Sequence, residues 1–263
     1  MDDRPAMTMP ECYDRYLVPV IFREPARHVA EYVAALGCDD ILETAAGTAI
    51  LTREIFDRAP KIRQYVASDL NGSALEVARR KFLASDKLEF RVCDATNLPF
   101  TPASFDLVVC QFGLMLFSDK AGAYASARRV LKREGRFVFT VWDSLAHNPF
   151  AMVLNRALSE FFPEDPPVYF QTPYAYHQVD VIRGALEENG FSTAGPEVVV
   201  RSSRLGDPFE FATGFLRGTL FREEMTRRGA DPGGVCDHLA RAFERELDQT
   251  ISLRFLLCEG RCG

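Results

Sequence analysis

The chain has no excess of positive charge. Its 263 residues carry 31 Lys and Arg against 37 Asp and Glu, a net charge of −6. Proteins that grip nucleic-acid backbones need clustered Lys and Arg. The densest basic spots here, Arg79-Arg80-Lys81 and Arg227-Arg228, are short and fall on helical patterns. They read as solvated helix faces. No apolar run reaches the ~18 residues of a membrane span, so no span is expected. The opening MDDRPAMTMPECYDRY has no basic stretch leading into an apolar core, and no secretory leader is read there. The seven cysteines, Cys12, Cys38, Cys93, Cys110, Cys236, Cys258 and Cys262, are an odd set without a double CxxC. That spacing gives no metal site and suits a reducing cytoplasm. Cys93 and Cys110 sit in apolar strand patterns and read as small buried hydrophobes. Cys258 and Cys262 read as incidental rather than as a metal fragment. There is no internal repeat and no low-complexity tract. Histidine is scarce too, with only His28, His147, His177 and His238.

What remains is an ordinary globular composition, 47% hydrophobic, enough for a sizeable core. Strand and helix patterns alternate along it. Val29, Val33 and Leu36 predict a helix over 25–36, with Pro25 in its first turn and Gly37 as its stop. Strands are predicted near 40–43, 63–68, 88–92, 105–110 and 136–142. FDLVVC at 105–110 is the nearly continuous apolar run of a strand covered on both faces. Helices follow these strands. One carries Ile50, Leu51 and Ile55, one starts at the capping-box pair Ser73 and Glu76, and one spans 119–132. The repeated alternation predicts an α/β fold, a parallel sheet with right-handed crossovers. After Trp142 the character changes. An apolar helix starts at Pro149, and a proline-rich loop covers 163–173. A helix is expected over 179–189 and strands at 197–201 and 251–258. Helical stretches over 208–226 and 232–249 read as a cap over the sheet edge. The whole chain is taken as one domain, residues 1–145 a ligand-binding core and 146–263 the cap and remaining strands.

Three carboxylates stand where apolar strands stop. Glu43 ends DILE, Asp69 ends YVASD and Asp94 ends FRVCD. On successive parallel strands all three reach one sheet edge, where open α/β sheets bind ligands. A turn of small residues, Thr44 to Ala49, follows Glu43. A carboxylate accepts both hydroxyls of a ribose, and Gly47 removes a side chain where backbone and ligand nearly touch.

These segments resemble the class I S-adenosylmethionine-dependent methyltransferases, most closely the ubiquinone and menaquinone biosynthesis group. The resemblance covers about residues 13–145. An acid, one residue and Gly-x-Gly-x-Gly stands here as Glu43, Thr44, Ala45, Ala46, Gly47, Thr48, Ala49, with only the middle glycine kept. SDLN supplies Asp69 and Leu70, and Asp94-Ala95 supplies an acid and a small residue. FDLVVCQFGLMLF and VLKREGRFVFTVWD follow, the second without the family's Pro-Gly-Gly turn. The resemblance implies a Rossmann-like, mostly parallel sheet of seven strands, the last antiparallel, with helices on both faces. It implies that S-adenosylmethionine is the cofactor. Ala45 and Gly47 would approach its methionine part, Asp69 its ribose, and Asp94 and Ala95 its adenine. Gln111 and Phe112 would line the pocket. Beside the resemblance, Tyr13 and Tyr16 in ECYDRYL read equally as residues that close over the cofactor and as plain core aromatics.

Several alternatives stay open. Asp69 alone is equally a helix N-cap, and Asp94 a solvated loop acid. A nicotinamide-binding fold also places an acid after its second strand, but wants glycines where Ala45 and Ala49 stand. Those alanines also leave open a binding protein of the same fold without turnover, with Ala49 crowding the cofactor. His147 and His177 are the candidate bases, against a structural role for each. Phe209, Phe211, Phe215, Leu216, Leu220 and Phe221 suit a small apolar or aromatic acceptor or a plain core. The acceptor is expected to be a small molecule. No nucleic-acid partner is expected, and a homodimer is left open.

Overall fold

The computed structural model describes residues 7–59 and 61–263. The leaderless reading of the start lies partly outside them. Helix α1 (Met9–Cys12) is capped by Thr8, whose hydroxyl and backbone N–H share a capping box with Glu11. It runs on without a break through a π-helical segment, Tyr13–Phe22, into α2 (Arg23–Leu36). Pro19 lies inside that segment. Proline lacks the N–H of a regular turn, and widened turns absorb such a defect. Helix α2 closes on Gly37 at a left-handed φ of 68°.

The alternation read from the sequence is then realised. Strand β1 (Asp40–Glu43) leads to α3 (Ile50–Arg58), β2 (Gln64–Asp69) to α4 (Gly72–Arg79), and β3 (Leu88–Val92) to β4 (Phe105–Gln111). Helix α5 (Lys120–Val130) precedes β5 (Leu131–Trp142). The second half holds α6 (Pro149–Phe161), α7 (Val179–Glu188), β6 (Phe191–Ser192), β7 (Glu197–Arg204), α8 (Pro208–Arg217), α9 (Phe221–Arg227), α10 (Pro232–Glu246) and β8 (Thr250–Cys262).

The sheet order is β3-β2-β1-β4-β5-β8, with β6 and β7 both on the far side of β8. Strand β6 pairs with Arg261 and Cys262, and β7 with residues 250–257. The two therefore share one position, and the sheet is seven strands wide. Its neighbours from β3 to β5 are parallel, and β8 runs antiparallel to β5. All four residues of β1 are buried, as are Leu107, Val108, Val109 and Cys110 of β4. Parallel strands covered on both faces need such runs. Tyr65, Phe105, Phe139 and Phe255 are fully buried in this core. Each such ring contributes about 1.5–3 kcal/mol by leaving water.

Several boundaries depart from expectation, among them β8, which runs past 258 to Cys262, and α10, which ends at Glu246. Helix α5 stops at Val130, and β5 starts at Leu131 instead of 136. Glu134 takes a left-handed φ of 61°, so the chain turns in extended form without the glycine pair. Strand β7 continues to Arg204 because every residue finds a partner on β8. The stretch 208–226 divides at Gly218. A Cβ there would lie 2.5 Å from the Gly214 carbonyl and 2.8 Å from the Tyr13 Cα, so only glycine lets the cap meet the N-terminal segment.

Candidate functional site

At the ends of β1 and β2 the chain builds a rigid turn. Thr44 N–H donates to the Val109 carbonyl (2.9 Å), Ala46 N–H to the Ser68 carbonyl (2.9 Å) and Ala49 N–H to the Ala46 carbonyl (2.8 Å). Ala45, Gly47 and Ala49 all adopt left-handed φ, at 54°, 55° and 67°. Only the glycine does so freely. For an L-residue the left-handed region costs roughly 1–2 kcal/mol, so the two alanines carry strain in the turn. A Cβ built on Gly47 would meet nothing within 4 Å. The missing side chain leaves an open cradle beside the turn.

Asp69 stands next to that cradle. Its Oδ2 accepts from Gly47 N–H (2.8 Å) and its Oδ1 from Asn71 N–H (2.7 Å). Each oxygen keeps a lone pair for a further donor. The N-cap of α4 falls to Asn71, which accepts from Ser73 N–H at 3.1 Å, and not to Asp69.

Turn and carboxylate open onto a cavity of about 530 Å³. Met9, Pro10, Tyr13, Leu17, Ile21 and Phe22 form one wall. Ala45, Gly47, Thr48, Asp69, Asn71, Gln111 and Phe112 form the sheet-edge side. Leu154, Tyr169, Phe170, Tyr174, Phe215, Thr219 and Leu220 close it from the cap. Phe112 holds a left-handed φ of 54°, fixed by its N–H, which donates to the Thr140 carbonyl (3.1 Å) and hydroxyl (3.2 Å). Its ring stacks on Trp142 with centroids 4.1 Å apart and planes at 11°. Phe22 meets Phe112 edge-on at 5.8 Å, and Tyr174 lies 6.2 Å from Trp142. Burial, with Asp69 and Asp14 nearby, pushes the Tyr13 phenol well above its usual range. Burial does the same to Tyr174. Both stay neutral and can donate.

Of the residues expected at the site, Ala45, Gly47, Asp69, Gln111 and Phe112 share this cavity. The Gln111 amide donates weakly to the Phe22 carbonyl (3.5 Å), and its Oε1 has no partner among the described residues. Glu43 stands apart. It is 1% exposed and accepts from the Thr52 hydroxyl (2.5 Å) and the Tyr65 phenol (2.6 Å). Burial pushes its carboxyl up to about 7, against the pull of those two bonds. Leu70 is 71% exposed and lies off the wall. Asp94 is exposed and accepts from the Thr96 N–H and hydroxyl, both at 2.8 Å. It and Ala95 follow β3 one strand further along the edge, off the cavity wall. Tyr16 packs against Gly214 of α8. Ala49 is fully buried and off the wall, and the exposed methyl is that of Ala45, against Gly113.

Neither candidate base reaches the cavity. His147 is exposed, with Nδ1 3.0 Å from the Ser144 hydroxyl and 3.2 Å from Asp143. His177 Nδ1 donates to the Tyr174 carbonyl (2.7 Å). Sequence reasoning did not single out Trp142, Asn71 or the segment Tyr169–Tyr174. Asn71 at N-cap spacing before Ser73 was a usable signal. The stack of Trp142, the last residue of β5, on Phe112, the residue after β4, had none.

With this geometry in view, comparison with known proteins is informative. Residues 42–139 match the family model described as a methyltransferase domain. A demethylmenaquinone methyltransferase of Thermotoga maritima is 35% identical over 112 residues, 43% of this chain and 47% of that protein. A ubiquinone/menaquinone biosynthesis C-methyltransferase of Stutzerimonas stutzeri is 29% identical over 178 residues, 63% of this chain and 70% of that protein. The chain spans about half the length of the first curated relatives it matches. A geranyl diphosphate methyltransferase solved in complex with S-adenosylmethionine shares the fold, with a TM-score of 0.51 and 13% identity over 90% of this chain and 85% of that one.

Proposed function

We propose that the protein is a class I S-adenosylmethionine-dependent methyltransferase, in keeping with the match of residues 42–139 to a methyltransferase domain, and that it transfers a methyl group from that cofactor to a small apolar or aromatic acceptor. One observation carries the reading. A single cavity joins the open cradle at Gly47 and the Asp69 carboxylate to an apolar wall. The donor set fits the cofactor, since Asp69 retains accepting capacity for vicinal hydroxyls and Gly47 leaves room beside its backbone. When bound, the cofactor supplies a methyl group already activated on a sulfonium.

The residues of the chain then have three tasks. Gly47 and Asp69 would hold the nucleoside end, with Asp94 and Ala95 further along the edge, and Gln111 and Phe112 would line the reacting end. Met9, Pro10 and Tyr13 would exclude water. The cap residues Phe170, Phe215 and Leu220 would receive the acceptor. No histidine, lysine or glutamate is on the cavity wall among the described residues, so alignment of the two reactants is the main source of rate. The relatives named for menaquinone and ubiquinone biosynthesis support a quinol-type acceptor.

Titration calorimetry with S-adenosylhomocysteine tests the reading. Asp69→Ala should weaken binding at least about tenfold, ~1.4 kcal/mol, with an unchanged circular dichroism spectrum. Wild-type affinity in that variant removes Asp69 from the site. The Ala45 methyl on the cavity wall favours a second reading, a cofactor-binding protein without turnover. Tight S-adenosylhomocysteine binding with no methylation of a panel of quinols, phenols and amines would select it.

A further inference from the structure

We propose that Asp14 is a positioning residue for the turn 44–49, holding its two left-handed alanines in place and so coupling cofactor affinity to the docking of residues 9–22. The proposal rests on the methyltransferase reading above. Asp14 Oδ1 accepts from the Thr48 hydroxyl (2.7 Å) and from the Lys81 ammonium. Lys81 also donates to the Thr48 carbonyl (2.8 Å). One carboxylate and one cation thus grip the side chain and the backbone of a single turn residue. Thr48 is 2% exposed and lies between Gly47 and Ala49. The carbonyl of Lys81 accepts from Arg53 of α3, so the clamp also ties down the helix that the turn starts. A second pair, Glu11 with Arg80 at 2.8 Å, holds the same N-terminal segment to the end of α4.

Strained backbone persists only where its surroundings over-determine it. Glycine at 45 and 49 would take the left-handed form freely. With alanine, the turn needs an external hold, and a hydroxyl-to-carboxylate bond is among the stronger ones available. The hold comes from the segment whose Met9, Pro10 and Tyr13 line the cavity. When that segment lifts, Thr48 loses its acceptor and the turn is free to relax.

The test is a set of variants read by S-adenosylhomocysteine titration. Asp14→Ala should weaken binding about tenfold. Asp14→Asn keeps an acceptor for Thr48 and should fall between. Adding Ala45→Gly and Ala49→Gly to Asp14→Ala should restore affinity to within about threefold of wild type. Unchanged affinity in Asp14→Ala overturns the proposal, as does a loss that the glycines do not restore. If Asp14→Ala fails to fold, Thr48→Val replaces it, with the same loss and the same rescue expected, and normal affinity there overturns the clamp. If wild type binds no cofactor product, the methyltransferase reading fails by itself. Amide exchange then decides the clamp, with faster exchange across 44–49 in the Asp14 or Thr48 variant supporting it and unchanged exchange refuting it.

Discussion

Of the three strand-end carboxylates, Glu43 is shut into the core, Asp69 lies on the cavity and Asp94 faces solvent. The difference has a measurable sign. Burial raises the folded-state pKa of Glu43 to about 7 from an ordinary 4.5. Between those values the native state binds a proton that the unfolded chain releases, so stability falls as pH rises. The contribution is fully present below pH 4.5 and is lost through pH 7. At about 1.4 kcal/mol per pKa unit the loss is on the order of 3 kcal/mol. Urea melts from pH 5 to 8 should show the decline in wild type, and Glu43→Gln should flatten it. A wild-type profile no steeper than that of the glutamine variant would show that Glu43 ionises without cost.

At the scale of elements, the cap and the N-terminal segment meet through Gly218. Gly218→Val must push α8 away from Tyr13, and should cost about 1–3 kcal/mol in a urea melt, as overpacking does. Because Gly218 also lines the cavity, cofactor affinity should fall with it. The sheet itself was legible in the sequence. Leu107 to Cys110 in FDLVVC and Ile41-Leu42 in DILE are apolar on consecutive positions, the pattern of covered parallel strands. That same continuity hid the direction of Glu43. Ile41 and Leu42 are both buried, so β1 has no alternation to tell which way its final acid points. Asp69 stands at the end of β2, as YVASD predicts, but whether it caps the next helix was left open by the sequence, and the structure gives that cap to Asn71. The helical run over Tyr13–Phe22 was not, because Pro19 reads as a breaker until a widened turn accommodates it. The clamp at Asp14 joins residues 34 and 67 positions apart, a pairing that no local pattern encodes.

At the scale of the molecule, the cavity draws on residues from Met9 to Leu220. The N-terminal segment, the ends of β1, β2, β4 and β5, and the cap each supply part of its wall. The seventh strand position and the antiparallel β8 brace β5 from behind. Trp142, the last residue of β5, therefore sits where core and cavity meet, stacked on Phe112. It is also the single tryptophan of the 263 residues. Its emission under selective excitation is thus an optical gauge of the pocket that needs no label. Cofactor product entering beside Phe112 should change the intensity or wavelength of that emission with a saturating dose curve. A spectrum indifferent to ligand, at concentrations where calorimetry registers heat, would put the binding event elsewhere on the protein.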